Sequence, residues 1–193
     1  MSETAIFDMT IALKRRIEGA LENGKVRVGP PEQTAVGDSA VGLFLFQVEA
    51  NRDLRNSPRM KPPEFATPFD APATEENAIP LDLRYLVTVF RNAGPGGDPE
   101  ELTRLGQVIR VLHAAPTFSD AELHGQTVRV TLEPASIDEL NRIWSVLPEE
   151  SYRTSLVYLA TPVWIDAGPL TAGPPVLERE QHQGVLEPAG AAV

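Results

Sequence analysis

The run Pro80-Leu-Asp-Leu-Arg-Tyr-Leu-Val-Thr-Val-Phe90 decides how this chain is to be read. Leu81, Leu83, Tyr85, Val87 and Val89 fall on one side of an extended backbone, with Asp82, Arg84 and Thr88 on the other. Successive strand side chains point to opposite faces, so a two-residue period predicts a strand over 81–90 with one face in a core. Downstream, residues 92–97 read as a turn. Asp98 then caps a helix running to His113, with Pro99 at its first position and Glu101 placed to complete a capping box. Leu102, Leu105, Ile109 and Leu112 are the expected buried stripe of that helix, and Pro116 ends it. Thr127 to Glu133 alternates again, with Val128, Val130 and Leu132 inward. Ser136-x-x-Glu139 is a second capping box, opening a short helix with Leu140, Ile143, Trp144 and Leu147 on one side and closed by Pro148. Ser155 to Ile165 is the last strand; Pro162 cannot donate to a ladder, which places it at a sheet edge or in a bulge.

Upstream, Ile6, Met9, Leu13, Ile17 and Leu21 recur at helical spacing. Thr4 stands at the N-cap, Asn23-Gly24 offers a left-handed stop, and Lys14-Arg15-Arg16 reads as the solvated face. Lys25 to Val28 is a short strand and Val41 to Ala50 a longer one. The centre of the longer strand, Leu43-Phe-Leu-Phe46, is apolar on both faces, which predicts a covered position inside the sheet. The order α, β, β, β, α, β, α, β predicts an α/β (α+β) domain: a mostly antiparallel sheet of four to five strands with about three packed helices.

Two segments stand apart. Asn51 to Pro80 carries prolines at 58, 62, 63, 68, 72 and 80 and little periodicity. Loops this long inside compact domains are uncommon and usually functional or disordered. Met60, Phe65 and Phe69 mark it as an arm that docks on something. Beyond Asp166 the chain is rich in Gly, Pro and Ala. The expected organisation is one domain over 1–166, with the Pro-rich loop 51–80, and a C-terminal arm over 167–193.

Composition narrows the function classes. The chain has 193 residues, 42% of them hydrophobic, enough for a real core. No stretch approaches the roughly 20 apolar residues of a membrane span, and no signal-like pattern opens the chain, so it is expected to fold in the cytoplasm without membrane insertion. With no cysteine, thiol chemistry and disulfides are excluded. His113, His124 and His182 have no metal-ligand spacing. The net charge of −10 argues against nucleic-acid binding. Residues 1–60 hold eight acidic and eight basic side chains, so the whole surplus lies in 61–193. Solubility accounts for it; a subunit with one acidic face would too. Gly94-Pro-Gly-Gly-Asp-Pro precedes a helix but lacks the phosphate-loop ending and spacing. The acidic pairs Glu75-Glu76, Glu100-Glu101 and Glu149-Glu150 sit in loops or first helical turns. No catalytic residue, metal site or cofactor is expected.

Several of these pieces, taken in order, carry a resemblance: Val48-Glu-Ala-Asn51 with Leu54-Arg55-Asn56; Pro80-Leu-Asp-Leu-Arg-Tyr-Leu-Val-Thr88; Leu105-Gly106 leading to Ile109-Arg-Val-Leu-His113 and Pro116; Leu140 to Trp144; and Tyr152-Arg153-Thr-Ser155-Leu-Val-Tyr158. Over about residues 5–166 the chain resembles the tail-terminator, or tube-cap, proteins of contractile injection systems. It departs in placing Arg84 where histidine is expected and a single leucine before Gly106. The resemblance implies a homohexameric ring at the end of the particle far from the baseplate, with the inner tube protein and the sheath protein as partners. It implies assembly in the cytoplasm and then a place in the finished particle. Arg55, Asn56, Phe65, Phe69 and Arg153 are the interface candidates, with a purely local role open for both arginines. The loop and the arm are expected to reach neighbouring subunits or the sheath. An adaptor or cargo-loading component of the same machine is the alternative.

Overall fold

The structure is a computed structural model and describes residues 3–21, 25–31, 39–61, 73–75, 77–90, 99–119, 123, 125–147 and 152–166. The elements in chain order are α1 (Ala5–Glu18), β1 (Lys25–Val28), β2 (Ser39–Ala50), β3 (Arg59–Lys61), β4 (Ala73–Glu75), β5 (Ala78–Val89), α2 (Pro99–Ala114), β6 (Thr117–Ser119), β7 (Thr127–Glu133), α3 (Ile137–Ser145) and β8 (Ser155–Asp166). Six strands form one sheet in the order β1-β2-β5-β8-β7-β6, and β3 pairs with β4 in a separate ribbon. The sheet is mixed rather than purely antiparallel, because β1 runs parallel to β2. It also has more strands than the four or five expected. The addition is β6, whose three residues are too few to show a period; Phe118 is buried there beside β7.

β5 is the spine, flanked by β2 and β8 in antiparallel register. On one side Leu83, Tyr85 and Val87 join Met9, Leu13 and Ile17 of α1 and Val108 and Leu112 of α2 in the main core. The other side is not merely polar: Leu86 is fully buried with Val157 of β8 and with Leu140 and Trp144 of α3. Helices therefore lie on both faces of the sheet, two on one and the short α3 on the other. Phe44 and Phe46 pack against the smaller cluster while Leu43 belongs to the main core, as the two-sided apolar centre of β2 predicts.

Several local expectations are corrected. α1 stops at Glu18 with Gly19 as its C-cap, and the Thr4 side chain makes no capping bond; Asn23-Gly24 lies outside the described residues. Arg16 is not simply solvated: its guanidinium donates to the carbonyls of Ala115 and Thr117 and lies 3.3 Å from the centroid of the Phe118 ring. In α2 the buried stripe is rotated, with Val108 and Leu112 inside and Leu102 left 69% exposed. Apolar residues cover a broad arc of α2, and packing beside α1 selects which part faces inward. Leu132, at the end of β7, is about half exposed instead of inward. Ser136 caps α3 by accepting from the Glu139 backbone N–H at 3.1 Å, but the Glu139 carboxylate is engaged by Arg84. Pro162 is not at an edge, since β8 lies between β5 and β7. The register skips opposite Asp82, between Leu83↔Ala160 and Leu81↔Val163, so the bulge reading holds and the Thr161–Pro162 bond is cis. Beyond the start of β7 the Gln126 side chain continues the ladder, donating to the Trp164 carbonyl and accepting from its N–H, both at 2.8 Å.

Tyr85 supplies a testable consequence of this core. Its ring is fully buried and its hydroxyl bonds Thr10 Oγ1 at 2.9 Å. Burial disfavours the phenolate and pushes its pKa up to about 12, against 10.0 ordinarily; the Thr10 bond lowers it by less. The unfolded chain then loses this proton first. The associated stability is whole below pH 10 and is lost as pH rises from about 10 to about 12, on the order of 2 kcal/mol from this residue. Denaturant unfolding of the wild type and Tyr85→Phe across that range should show the wild type losing more. Parallel losses would mean that Tyr85 is solvated.

Candidate assembly surface

At its far end β2 runs into Asn51, and this one side chain organises the turn beyond the strand. Its Oδ1 accepts from the backbone N–H groups of Asp53 (3.1 Å) and Leu54 (2.9 Å), an Asx turn of the kind that asparagine favours. Its Nδ2 donates to Asp82 Oδ1 at 2.9 Å and lies 3.2 Å from Thr161 Oγ1, which itself donates to Asp82. The Asn51 N–H donates to the Pro80 carbonyl. The turn is thus tied to β5 and to the bulge in β8. Arg55 N–H to Asn51 O and Ser57 N–H to Leu54 O tighten it further. The Asn51 to Asn56 part of the resemblance is therefore a structural pivot, with Arg55 and Asn56 exposed on its outer side.

From the pivot the chain enters the β3–β4 ribbon, with Arg59 opposite Glu75 and Lys61 opposite Ala73. The 51–80 segment is thus not wholly a loop; three-residue strands gave no readable alternation. Phe65 and Phe69 lie outside the described residues. Arg59 is only 7% exposed, and its cation is stabilised by Asp166, the last residue of β8; burial pulls its pKa down more than Asp166 raises it. Asp166 pairs with Ala78, and Ala50 with Leu81. The ribbon and the end of β8 at Asp166 therefore lie at one corner of the sheet. Met60 (67% exposed), Val48 (45%) and Ile79 (46%) are apolar side chains turned to solvent on the elements that meet there.

The same corner holds a sheet edge that is open among the described residues. β1 pairs only with Ser39–Leu43 of β2, ending with Gly29 N–H to Leu43 O. Among the described residues, Leu45 to Ala50 pair with β5 alone, so their outer backbone groups face away from the sheet. Val48, Glu49 and Ala50 are exposed. Unpaired strand edges of this kind are templates for added strands.

Arg153 lies at the opposite end of β5, where Ser155 pairs with Thr88. Its guanidinium sits 5.7 Å from the Phe90 ring centroid, and its carbonyl accepts from Ser155 Oγ. The structure thus brings Arg55 and Asn56 together and leaves Arg153 apart from them. Sequence reading missed Arg59 and Ile79, and it gives Val48 and Asn51 only as part of the resemblance, not as interface candidates. Asn-x-Asp straight after a strand is a legible Asx signal, whereas the Arg59–Asp166 pairing spans most of the chain and leaves no local trace.

Chemistry is not concentrated anywhere described. Among the described residues, no group of three or more His, Cys, Asp or Glu could hold a metal. His113 is exposed at the last turn of α2. A notch of about 400 Å³ opens where β7 leaves the sheet, walled by Leu132, Pro134, Ala135, Leu140 and Leu156. Its acid, Glu133, is already held by Arg84 at 2.8 Å. No described helix is long and apolar enough to cross a membrane.

Fold and surface define an α+β domain whose distinctive features, among the described residues, are a pivoted ribbon and an unpaired length of strand edge. The chain belongs to the family of the Pvc16 N-terminal domain, which it matches over residues 8–178. In fold it is similar to the sheath/tube terminator of PVC, an extracellular contractile injection system, in its extended state. The TM-score there is 0.55 at 21% identity, covering 93% of this chain and 65% of the other. It is similar also to the tube-terminating cap of the anti-feeding prophage, with a TM-score of 0.59 at 16% identity, covering 91% and 60%. The chain thus spans less than two thirds of the length of either structure. Among curated proteins no relative matches it.

Proposed function

We propose that this chain is a non-enzymatic cap subunit that terminates the inner tube and anchors the sheath at the baseplate-distal end of a contractile injection particle, acting as a ring of six copies. The observation that carries this reading is the family match over residues 8–178, joined by a fold likeness to two terminators that covers more than nine tenths of the chain in each case. The mechanism is geometric. A ring made of repeated heterologous contacts closes on itself. One face matches the last tube layer, and the other offers no seat for a further one. The partners in this reading are other copies of the chain, the inner tube protein and the sheath protein. The subunit is made in the cytoplasm and ends in the assembled particle, with no cofactor.

Electron microscopy of particles from cells lacking the gene tests this. Overlong or ragged tubes, or sheaths slipping off the tube end, are expected. Particles of normal length with a normal end would overturn the reading in favour of an adaptor or cargo-loading component.

A further inference from the structure

α1 and α2 do not cover the whole of the sheet face on which they pack. The register places side chains on that face: Val48 stands opposite Leu83, Ala50 opposite Leu81, Leu81 opposite Val163, and Ile79 opposite Ile165. Facing partners in an antiparallel pair share a side, and Leu83 and Val163 are fully buried in the main core. Toward the strand ends and the β2 edge the same face is open among the described residues. Leu81 and Ile165 are only partly buried, and Val48, Ala50 and Ile79 are exposed. The result is an apolar ledge across β2, β5 and β8. The reverse side of this end is filled. There Asp82 holds Asn51 and Thr161. Arg59 of the ribbon is drawn there to Asp166, which pairs with the buried Ala78 on the side away from Ile79 and Ile165.

The chain that follows β8 starts on this ledge, since Ile165 lines it and Asp166 ends the strand. The match to the Pvc16 N-terminal domain does not stop there but runs on to residue 178, so 167–178 go with the domain. Their sequence suits a cover. Gly168-Pro169 is a signal for reversing the chain, and Leu170, Val176 and Leu177 are large apolar side chains. The polar run Glu178-Arg-Glu-Gln-His-Gln183 begins where the match ends. The span is short: strands lie about 4.8 Å apart, so β2 is about 10 Å across from β8, the length of about three or four extended residues. A segment tethered at the ledge acts at an effective concentration of about millimolar, which a second copy in dilute solution does not reach. We infer that residues 167–178 fold back over the ledge of their own chain and seat Leu170, Val176 and Leu177 against Val48, Ala50 and Ile79. The domain then closes near Glu178 and not at Asp166, and 179–193 are the part left to reach a neighbouring subunit or the sheath.

The natural chain has no cysteine, so an introduced thiol reports its own surroundings. In the full chain at low concentration, Ile79→Cys is expected to react with a maleimide at least about ten times more slowly than Asn141→Cys, which is exposed on α3. Adding Leu170→Asp, Val176→Asp and Leu177→Asp should bring the two rates together, because the apolar ledge offers a carboxylate no partner. Equal rates without these changes would mean that the ledge is open. A thiol that stays slow in spite of them would mean that another segment covers it, and slowness lost on dilution that a second copy does. Each of these overturns the inference. A second measurement does not depend on the charged variant. Ile79→Cys is combined with a single cysteine at each position from Leu170 to Leu177 in turn, and oxidised. Bonds within one chain are expected at some positions and not at others, since a seated segment has fixed neighbours. Bonds only between chains, equal bonding at every position or no bond at all would overturn the inference. None of these outcomes touches tube length, so a failure here leaves the cap reading to be judged by electron microscopy.

Discussion

Trp144→Ala is expected to destabilise the domain by about 3–5 kcal/mol, the range for deleting a large buried aromatic side chain. Trp144 is only 4% exposed and packs with Leu86, Leu140 and Val157 between α3 and the sheet. Its indole N–H donates to Ser155 Oγ at 3.2 Å, and its ring meets Tyr152 edge-on at 6.3 Å. α3 has only nine residues, too few to persist as an isolated helix. Its apolar side holds it in place, and Trp144 is the largest residue there. Total stabilities of 5–15 kcal/mol are usual, so this one change removes a large share. Urea unfolding followed by circular dichroism measures it. A loss below about 1 kcal/mol would mean that α3 is not docked as described.

Arg84→Met is expected to cost about 2–3 kcal/mol. The guanidinium joins three elements: Nε donates to Glu133 of β7 and one terminal nitrogen to Glu139 of α3, both at 2.8 Å, and the other to Gln47 of β2 at 2.9 Å. Burial works against its charge, but the hydrogen bonds and the field of the two carboxylates outweigh it and raise its pKa above the ordinary value. Methionine fills much of the volume but leaves two carboxylates facing each other without a cation. Removing one partner of a fully buried ion pair costs about 3–5 kcal/mol. These side chains are 20–34% exposed, so solvent screening brings the figure down. Arg84→Met/Glu133→Gln/Glu139→Gln removes the repulsion and should recover part of the loss. If the triple variant is less stable than the single one, the cluster is not held together by charge.

Both residues show how far a linear reading reaches. Trp144 is legible as a core residue because Leu140, Ile143, Trp144 and Leu147 share one side of a capped helix. Nothing local says that its partner is Leu86, which stands on the side of β5 where the alternation shows polar residues. Arg84 sits on that same polar side, and its three partners are spread from Gln47 to Glu139. The candidate assembly surface was legible in part. Arg55 and Asn56 are legible as interface candidates and lie on the pivot, whereas Asn51, which makes the pivot, stands in the sequence only as part of the resemblance. Its partners Asp82 and Thr161 meet only once β5 and β8 are paired.

What the sequence by itself determined are the elements whose signals are local. These are the amphipathic face of α1, the strands β1, β2, β5, β7 and β8, the Ser136 cap, and the absence of thiol chemistry. Side-chain period, proline and capping residues act within a few positions of themselves, so no tertiary contact is needed to express them. Only the tertiary structure decided that α3 covers the second face of the sheet, that α2 turns Leu102 outward, and that β8 inserts between β5 and β7. It alone decided that the ribbon, the end of β8 and a length of β2 that is unpaired among the described residues share one corner. Those outcomes depend on which faces compete for burial and which strands become neighbours. These are contacts between residues far apart in the chain, and their free energy exists only when the whole sheet is assembled.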